Sequence, residues 1–225
     1  MANRPVFEIN LAPPHFAEQM VSFVYSSGFS DQQRKKSVAS LHNAYLQCKP
    51  NAKVLEVSRF SDSVLGQKLS AFNLFACLDT GEKVPVENAF QSSKVFMYGG
   101  PYRDLLYVHP AAAKKDERLL HSGPLTGFNY LGEDFPLEPK TFFYDWLYIN
   151  SLYGDKETTN NLLEYTAFTD IVFNPEKSIN CQARTIAIYV SLCITKQIDM
   201  ALRSPTHFKE IVYGDADAFE QLSFF

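Results

Sequence analysis

The sequence predicts an α+β fold that is mostly helical and carries a few short strands. Hydrophobic residues recur at helical spacing over residues 30–47, 86–96, 139–153 and 178–194. Residues 69–87 (LSAFNLFACLDTGEKVPVE) predict a β-hairpin, with an apolar strand, a turn containing glycine and a short second strand. The 225 residues are 46% hydrophobic and 20% charged, which suits one large domain, or a domain with an extension, around a substantial core.

The ends of the longer helices are predicted from capping residues. Ser30 and Gln33 form a capping box at the start of the first helix. Pro139 is the predicted first residue of the helix over 139–153, which is apolar nearly all round and should be buried. Ser178 is the predicted N-cap of the last long helix, and Gly99 or Gly100 should end the helix that begins at residue 86.

The remaining segments predict shorter or irregular elements. Residues 1–29 should be mostly irregular, with Pro13-Pro14 as a breaker and one strand over 20–25. The other predictions are a strand at 53–61, short helices at 109–121 and 159–165, a loop at 132–139, a strand or loop at 168–177, and a closing segment FEQLSFF that packs back on the body.

Charge and composition exclude several classes of function. The net charge of −4 and pI of about 5.7 disfavour tight coating of nucleic acid, although contact with a single nucleotide stays open. Neither a signal peptide nor a membrane span is expected. The histidine spacing fits no metal motif, so neither a metal nor a cofactor is expected. Four cysteines without a CxxC pair predict reduced thiols in a cytoplasmic protein: Cys48, Cys77, Cys181 and Cys193.

The first group of candidate residues lies on the predicted helix over 86–96. Glu87, Gln91 and Lys94 are at positions i, i+4 and i+7, which fall on one side of a helix, and Phe90 lies beside them. A carboxylate can exchange a proton at a glycosidic bond, and a lysine with a lowered pKa can attack an electrophilic carbon. From spacing alone, a solvated helix face is the more probable interpretation.

Two further groups carry polar residues into apolar surroundings. Asp145 lies in FFYDWLY, where a buried carboxylate needs a partner. A structural hydrogen bond that caps a neighbouring loop, and a catalytic or ribose-binding role, explain this residue equally well. Asn180 and Arg184 are four residues apart near a predicted helix start, so they should share a helix face, where a phosphate or diphosphate could bind. The alternative is an internal salt bridge from Arg184 to Asp170 or Glu176. The residue types alone favour this salt bridge over phosphate binding.

Residues 69–96 resemble the signature segment of the NADAR superfamily, the YbiA-like proteins. The matching positions are Ser70 and Phe72 on the strand, then Glu87, Phe90, Gln91 and Lys94. Residues 168–192 resemble a later segment of the family, in which an Asp precedes a helix start that contains Asn. Over roughly residues 30–195 the chain is similar to the NADAR domains that accompany DarT-type ADP-ribosyltransferase toxins, in five segments: KSVASLHNAYLQ, KVLEVSRFS, GGPYRDLL, LEPKTFFYDWLYINSL and FNPEKSINCQAR.

This resemblance implies a YbiA-like fold and a hydrolase of N-glycosidic bonds to ribose. It implies that the substrate is ADP-ribosylated guanine in DNA, with RNA left open, that ADP-ribose is the product, and that the chain is the antitoxin of a DarT-type toxin. Residues 51–205 are then the catalytic domain, residues 1–50 an extension packed on the core, and residues 206–225 a tail. Glu87 and Lys94 are the implied catalytic residues, and the implied substrate contacts are Phe90, Gln91, Asp145, Trp146, Asp170, Asn180 and Arg184.

Three alternatives stay open from the sequence. Lys94 forms an imine with the sugar, or it only steadies charge while a carboxylate activates water. In the second alternative, the substrate is a small ribosylamine metabolite. In the third, the chain neutralises a toxin by binding it, with the basic triplet of residues 34–36 as part of the interface.

Overall fold

The computed structural model describes residues 1–28 and 30–214, and it confirms the predicted α+β class. Among these residues, 41% are helical and 19% lie in strands. They divide into two compact units: residues 1–70 with the described residues from 153 onwards form unit 1, and residues 71–152 form unit 2. Within the described ranges, each helix is too short or too polar to cross a bilayer.

The strands are, in chain order, β1 (Ala2–Ile9), β2 (Phe16–Phe23), β3 (Val54–Glu56), β4 (Phe75–Cys77), β5 (Lys83–Pro85), β6 (Lys94–Phe96), β7 (Leu125–Tyr130), β8 (Glu133–Phe135) and β9 (Ala167–Thr169). The helices are α1 (Asp31–Cys48), α2 (Val64–Lys68), α3 (Val86–Ser92), α4 (Pro110–Ala113), α5 (Arg118–His121), α6 (Phe142–Leu152), α7 (Lys156–Leu162), α8 (Gln182–Ile194), α9 (Ile198–Ala201) and α10 (Pro205–Tyr213), with a 3-10 helix at Arg103–Tyr107.

Unit 1 is built on a sheet with the strand order β2-β1-β9-β3. β1 and β2 form an antiparallel hairpin in which Ala2 lies opposite Phe23 and Ile9 opposite Phe16. β9 is antiparallel to β1 and parallel to β3, so it joins the two. α1 packs against β2, and α8 packs against β1 and β9. The core of this unit therefore lies between the sheet and these two helices.

The prediction that residues 1–29 are mostly irregular is wrong. β1 and β2 occupy most of the segment, and the Pro13-Pro14 pair lies in the connection between them. Proline cannot donate to a strand ladder, but a loop between two strands has no such requirement. The two prolines therefore mark the turn of a hairpin rather than an irregular region.

The Ser30 half of the predicted capping box of α1 is confirmed. The Ser30 hydroxyl accepts a hydrogen bond from the Gln33 N–H at 3.3 Å, and Val38, Leu41 and Tyr45 form the buried face. α8, in contrast, begins at Gln182 with Cys181 as its N-cap, so the prediction of Ser178 is wrong. The N–H of Ser178 instead donates to the Asn174 carbonyl within a turn that precedes the helix.

Unit 2 contains the predicted hairpin, formed by β4 and β5, and a second sheet with the order β6-β7-β8. α6 is buried along most of its length, as predicted, but it begins at Phe142, after a turn in which the Phe142 N–H donates to Pro139 O at 3.1 Å. The expected loop at 132–139 contains β8. Gly99 does not cap a helix; it pairs with Phe96 in a tight turn after β6.

The short predicted elements are confirmed in part. The strand at 53–61 shrinks to β3, the helix at 109–121 is two separate turns, α4 and α5, and the helix at 159–165 overlaps α7. The tail was predicted to begin at residue 206, which lies within α10. The segment FEQLSFF lies outside the described residues. The division into extension, catalytic domain and tail stays a prediction.

Candidate active site

Glu87 and Gln91 lie one turn apart on α3, in the interior of unit 2. Both residues are nearly inaccessible, at 6% and 5% exposure. The Gln91 Nε2 donates to Glu87 Oε1 at 2.8 Å, so the amide fixes the carboxylate. The Gln91 Oε1 has no hydrogen-bond partner within the described ranges, so it is a buried acceptor that stays unsatisfied.

Lys94 does not lie on the helix, and this corrects the sequence prediction. α3 ends at Ser92, and the hydroxyls of Ser92 and Ser93 donate to the Ala89 carbonyl at 3.1 and 2.7 Å. Lys94 is the first residue of β6, where it lies opposite Phe128. Serine hydroxyls compete with the backbone for helical carbonyls, and pairing with β7 draws the chain into a strand.

The structure nevertheless places the Lys94 amine beside the residues of α3. Its Nζ lies 5.1 Å from the centre of the Phe90 ring. Burial lowers the pKa of Lys94, the charge of Glu87 raises it, and the like charge of Lys114 lowers it, with a net decrease. A lysine in this environment releases its proton more readily than an exposed one, as a nucleophilic amine requires.

Lys114 was not predicted from the sequence as a member of this group. Its Nζ lies 3.7 Å from Glu87 Oε1 and 5.6 Å from the centre of the Phe72 ring. Lys114 follows α4 in a stretch rich in charges, where lysines are ordinarily exposed. Only the packing of α4 against α3 identifies it, so a pattern within its own segment could not have found it.

Phe90 connects this group to an aromatic cluster in unit 2. Its ring is stacked on Phe143 at 6.0 Å and lies edge-to-face with Tyr144 at 5.2 Å, and it also contacts Phe128 at 5.4 Å. One ring thus packs in the core and also lies beneath a cation. The cluster gives Lys94 an apolar floor, and burial on it, together with the like charge of Lys114, lowers the pKa of the amine.

Asp145 and Trp146 lie on α6, in the same unit. Asp145 is fully buried and accepts a hydrogen bond from Thr141 Oγ1 at 2.9 Å, as expected of a residue that stabilises a helix start. Trp146 packs against Phe135 at 5.0 Å and Tyr130 at 6.2 Å. The buried Trp146 Nε1 has no hydrogen-bond partner among residues 1–28 and 30–214. The substrate-binding roles of both residues stay predictions.

Asp170, Asn180 and Arg184 belong to unit 1. Asp170 accepts hydrogen bonds from the N–H groups of the two turn residues 172 and 173 at 3.0 and 3.2 Å, and from Gln182 Nε2 at 3.1 Å. Asp170 thus links the turn after β9 to the first residue of α8. This structural function is compatible with the predicted substrate contact, which stays a prediction.

Asn180 and Arg184 do not share a helix face, and that prediction is wrong. Asn180 precedes α8, whereas Arg184 lies in its first turn. Arg184 donates to the Ile179 carbonyl at 3.4 Å, and its guanidinium lies 5.7 Å from the centre of the Phe16 ring. Their roles in phosphate binding stay predictions.

A second buried carboxylate in unit 1 was missed by the sequence analysis. Glu56, on β3, accepts hydrogen bonds from Ser58 Oγ and Thr169 Oγ1, both at 2.6 Å, and from the Ile171 N–H at 2.9 Å. His42 Nε2 lies 2.8 Å from the same Thr169 hydroxyl. The Thr169 hydroxyl thus connects the His42 ring to Glu56. Burial lowers the pKa of His42 to about 4, so the ring is neutral at neutral pH.

Glu56 should make the stability of the chain depend on pH. Burial and the nearby charge of Asp170 raise its pKa above the ordinary value of 4.5, and its three donors offset only part of this. The folded state then binds the proton more tightly than the unfolded state, so the free energy of unfolding falls as pH rises above 4.5. Glu56→Gln, which mimics the protonated acid, should flatten this fall by up to about 1.4 kcal/mol per pH unit.

Urea unfolding between about pH 5 and 7 measures this difference in slope. The exposed Glu164, in the same unit, provides the matched control Glu164→Gln, which should leave the slope as in the wild type. Equal slopes for the wild type and Glu56→Gln would show that Glu56 is ionised in the folded state.

Comparison with known proteins identifies the family. No curated protein matches the chain. A family model described as "DarT1-associated NADAR antitoxin" matches residues 2–221, which is nearly the whole chain. The match confirms the resemblance seen in the sequence, including its toxin-associated branch. The chain therefore belongs to the NADAR antitoxin family that is associated with DarT1.

Proposed function

We propose that this chain is an N-glycosyl hydrolase that removes ADP-ribose from guanine bases of nucleic acid, with DNA as the main substrate. By reversing the modification it would act as the antitoxin of a DarT-type ADP-ribosyltransferase. Family membership supports the antitoxin role. The observation that supports the chemistry is the arrangement in unit 2, where a carboxylate held by an amide lies near a lysine with a lowered pKa over an aromatic ring.

In the proposed reaction, Glu87 takes a proton from the Lys94 ammonium, and the neutral amine attacks the anomeric carbon of the ring-opened ribose. Glu87 returns the proton to the guanine nitrogen, and a second proton passes to the same atom from the attached Lys94 nitrogen. The bond from guanine to the sugar then breaks, and guanine leaves with its amino group restored. The resulting imine between Lys94 and the sugar takes up water, which releases the lysine and leaves ADP-ribose. The free Gln91 Oε1 would accept a hydrogen bond from a sugar hydroxyl.

The other predicted contacts complete the proposal. Phe90 and Trp146 would line the ribose and Asp145 would support it, while Asp170, Asn180 and Arg184 would contact ribose and phosphate. For the residues of unit 1, the support is the family resemblance. A cytoplasmic location also belongs to the proposal, since the four cysteines are free thiols.

Release of ADP-ribose from an oligonucleotide that carries one ADP-ribosylated guanine tests the proposal. We expect release from this substrate to be faster than from a small ribosylamine. Borohydride added during turnover should trap a sugar on Lys94, detectable by mass spectrometry. Turnover without a trapped adduct would instead indicate attack by water, and faster release from the ribosylamine would indicate a metabolic enzyme.

If the chain protected cells from the toxin without hydrolysing ADP-ribosylated guanine, the proposal would be contradicted, and an antitoxin that acts by binding would be favoured. In the basic triplet, which is the binding surface of that alternative, Arg34 lies over the Tyr25 ring and bonds to its hydroxyl, and Lys35 pairs with Asp62 at 2.9 Å. The Lys35 side chain is 45% exposed, so binding through the triplet stays an alternative.

A further inference from the structure

Lys114 is placed beside Glu87 by a specific set of buried contacts. Asn88, the neighbour of Glu87 on α3, is fully buried, and its Nδ2 donates to the carbonyls of Leu105 and Val108 at 2.7 and 2.8 Å. α4 begins two residues after Val108, and Ala113 at its end is also fully buried. The residue that follows, Lys114, is thus held where its side chain reaches back to α3.

The contact between Lys114 and Glu87 adds little to folding stability. The Lys114 side chain is 58% exposed, and ion pairs with one partner in water are weak. The pair does, however, place a second ammonium on the same Glu87 oxygen that Gln91 holds. The charge of Lys94 interacts with those of Glu87 and Lys114, so the Glu87 carboxylate is the counter-charge of two lysines.

The two lysines differ in how well water stabilises their charge. The Lys114 ammonium is largely in solvent, whereas Lys94 is half-buried on the apolar floor formed by Phe90. When two like charges compete for one counter-charge, the less solvated one is the easier to neutralise. The arrangement therefore favours the loss of a proton from Lys94 and its retention on Lys114.

We propose that Lys114 is a positioning residue of this site, which pairs with the Glu87 carboxylate and, by charge repulsion, favours the neutral amine of Lys94. The inference rests on the proposed function for its catalytic meaning, but its electrostatic part concerns the folded chain alone. A cationic neighbour is a general means of activating a lysine as a nucleophile.

The titration of the Lys94 amine tests the proposal independently of turnover. The charges of Glu87 from α3 and Lys114 from α4 act on this amine, Tyr144 from α6 packs against the same Phe90 ring, and the partner of Lys94 on β7 is Phe128. The rate at which acetic anhydride labels Lys94, read by mass spectrometry across pH, reports the fraction of neutral amine. Three variants are compared with the wild type: Lys114→Met, Lys114→Arg and the exposed neighbour Lys115→Met.

In Lys114→Met, the labelling midpoint of Lys94 should move to higher pH by about half a unit to one unit, an ordinary size for a neighbouring charge. Lys114→Arg and Lys115→Met should keep the wild-type midpoint. In the oligonucleotide assay, Lys114→Met should lower kcat about 3- to 10-fold near neutral pH, recover at higher pH, and leave KM nearly unchanged.

A labelling midpoint in Lys114→Met equal to that of Lys115→Met would overturn the proposal, whatever the activity. A shifted midpoint in a chain that releases no ADP-ribose would uphold the electrostatic role of Lys114 and refute the proposed function. A variant that loses activity equally at all pH values, with an unmoved midpoint, would show that Lys114 acts only through folding.

Discussion

Lys94→Ala is expected to abolish the release of ADP-ribose from guanine, and Glu87→Gln to slow it by about 10²- to 10⁴-fold, the usual contribution of an acid–base group. Lys94 supplies the only proposed nucleophile, so its loss removes the covalent route entirely. Glu87→Gln keeps the shape of the side chain but removes its charge and its capacity to carry a proton. Single-turnover release from the modified oligonucleotide measures both effects.

Matched controls lie on the same unit of the chain. Lys83→Ala and Glu82→Gln replace exposed residues of the same types, and both should retain wild-type rates. If Lys94→Ala released ADP-ribose at a rate close to that of Glu87→Gln, Lys94 would only steady charge, and attack by water would be the better account. Wild-type rates in both Lys94→Ala and Glu87→Gln would show that these two residues do not form the active site.

Phe143→Ala should have the largest effect on stability, a loss of about 3–5 kcal/mol in the free energy of unfolding. Phe143 is 1% exposed, and its ring lies 4.8 Å from both Phe128 and Phe135 and 6.0 Å from Phe90. Truncation to alanine removes these contacts and leaves a cavity between rigid rings that cannot easily close. Chemical denaturation followed by circular dichroism measures the loss.

Leu120→Ala is the control for this prediction. Leu120 is 78% exposed on α5, so its truncation should change stability by less than about 0.5 kcal/mol. A loss of similar size in both variants, or a loss below about 1 kcal/mol in Phe143→Ala, would show that the aromatic cluster is not a tightly packed core.

The sequence predicts those parts of the fold whose causes are local. The Ser30 cap specifies the start of α1, the turn around Gly81 specifies the β4–β5 hairpin, and apolar composition specifies the burial of α6. Each feature depends on residues within a few positions of each other. Periodicity and turn chemistry therefore suffice to identify them.

The errors arise where distant segments decide the local structure. Lys94 continues the helical spacing of α3, but pairing with β7 places it in a strand. Glu87 and Gln91 are predicted correctly as neighbours because four residues on one helix suffice. Lys114 and Glu56 were missed because Glu87, the partner of Lys114, and two of the three donors to Glu56 lie far along the chain. Tertiary contacts therefore bring Lys114 to Glu87, and Thr169 to Glu56.

The central position of β9 in the sheet of unit 1 has a consequence for synthesis on the ribosome. β1 and β3 emerge early, but the strand that joins them, Ala167–Thr169, is translated only after the whole of residues 71–152. Until then the nascent chain holds a hairpin and an unpaired edge, which proteases and chaperones recognise. A messenger cut short before codon 167 would thus yield a polypeptide without this sheet, and that polypeptide should be cleared quickly.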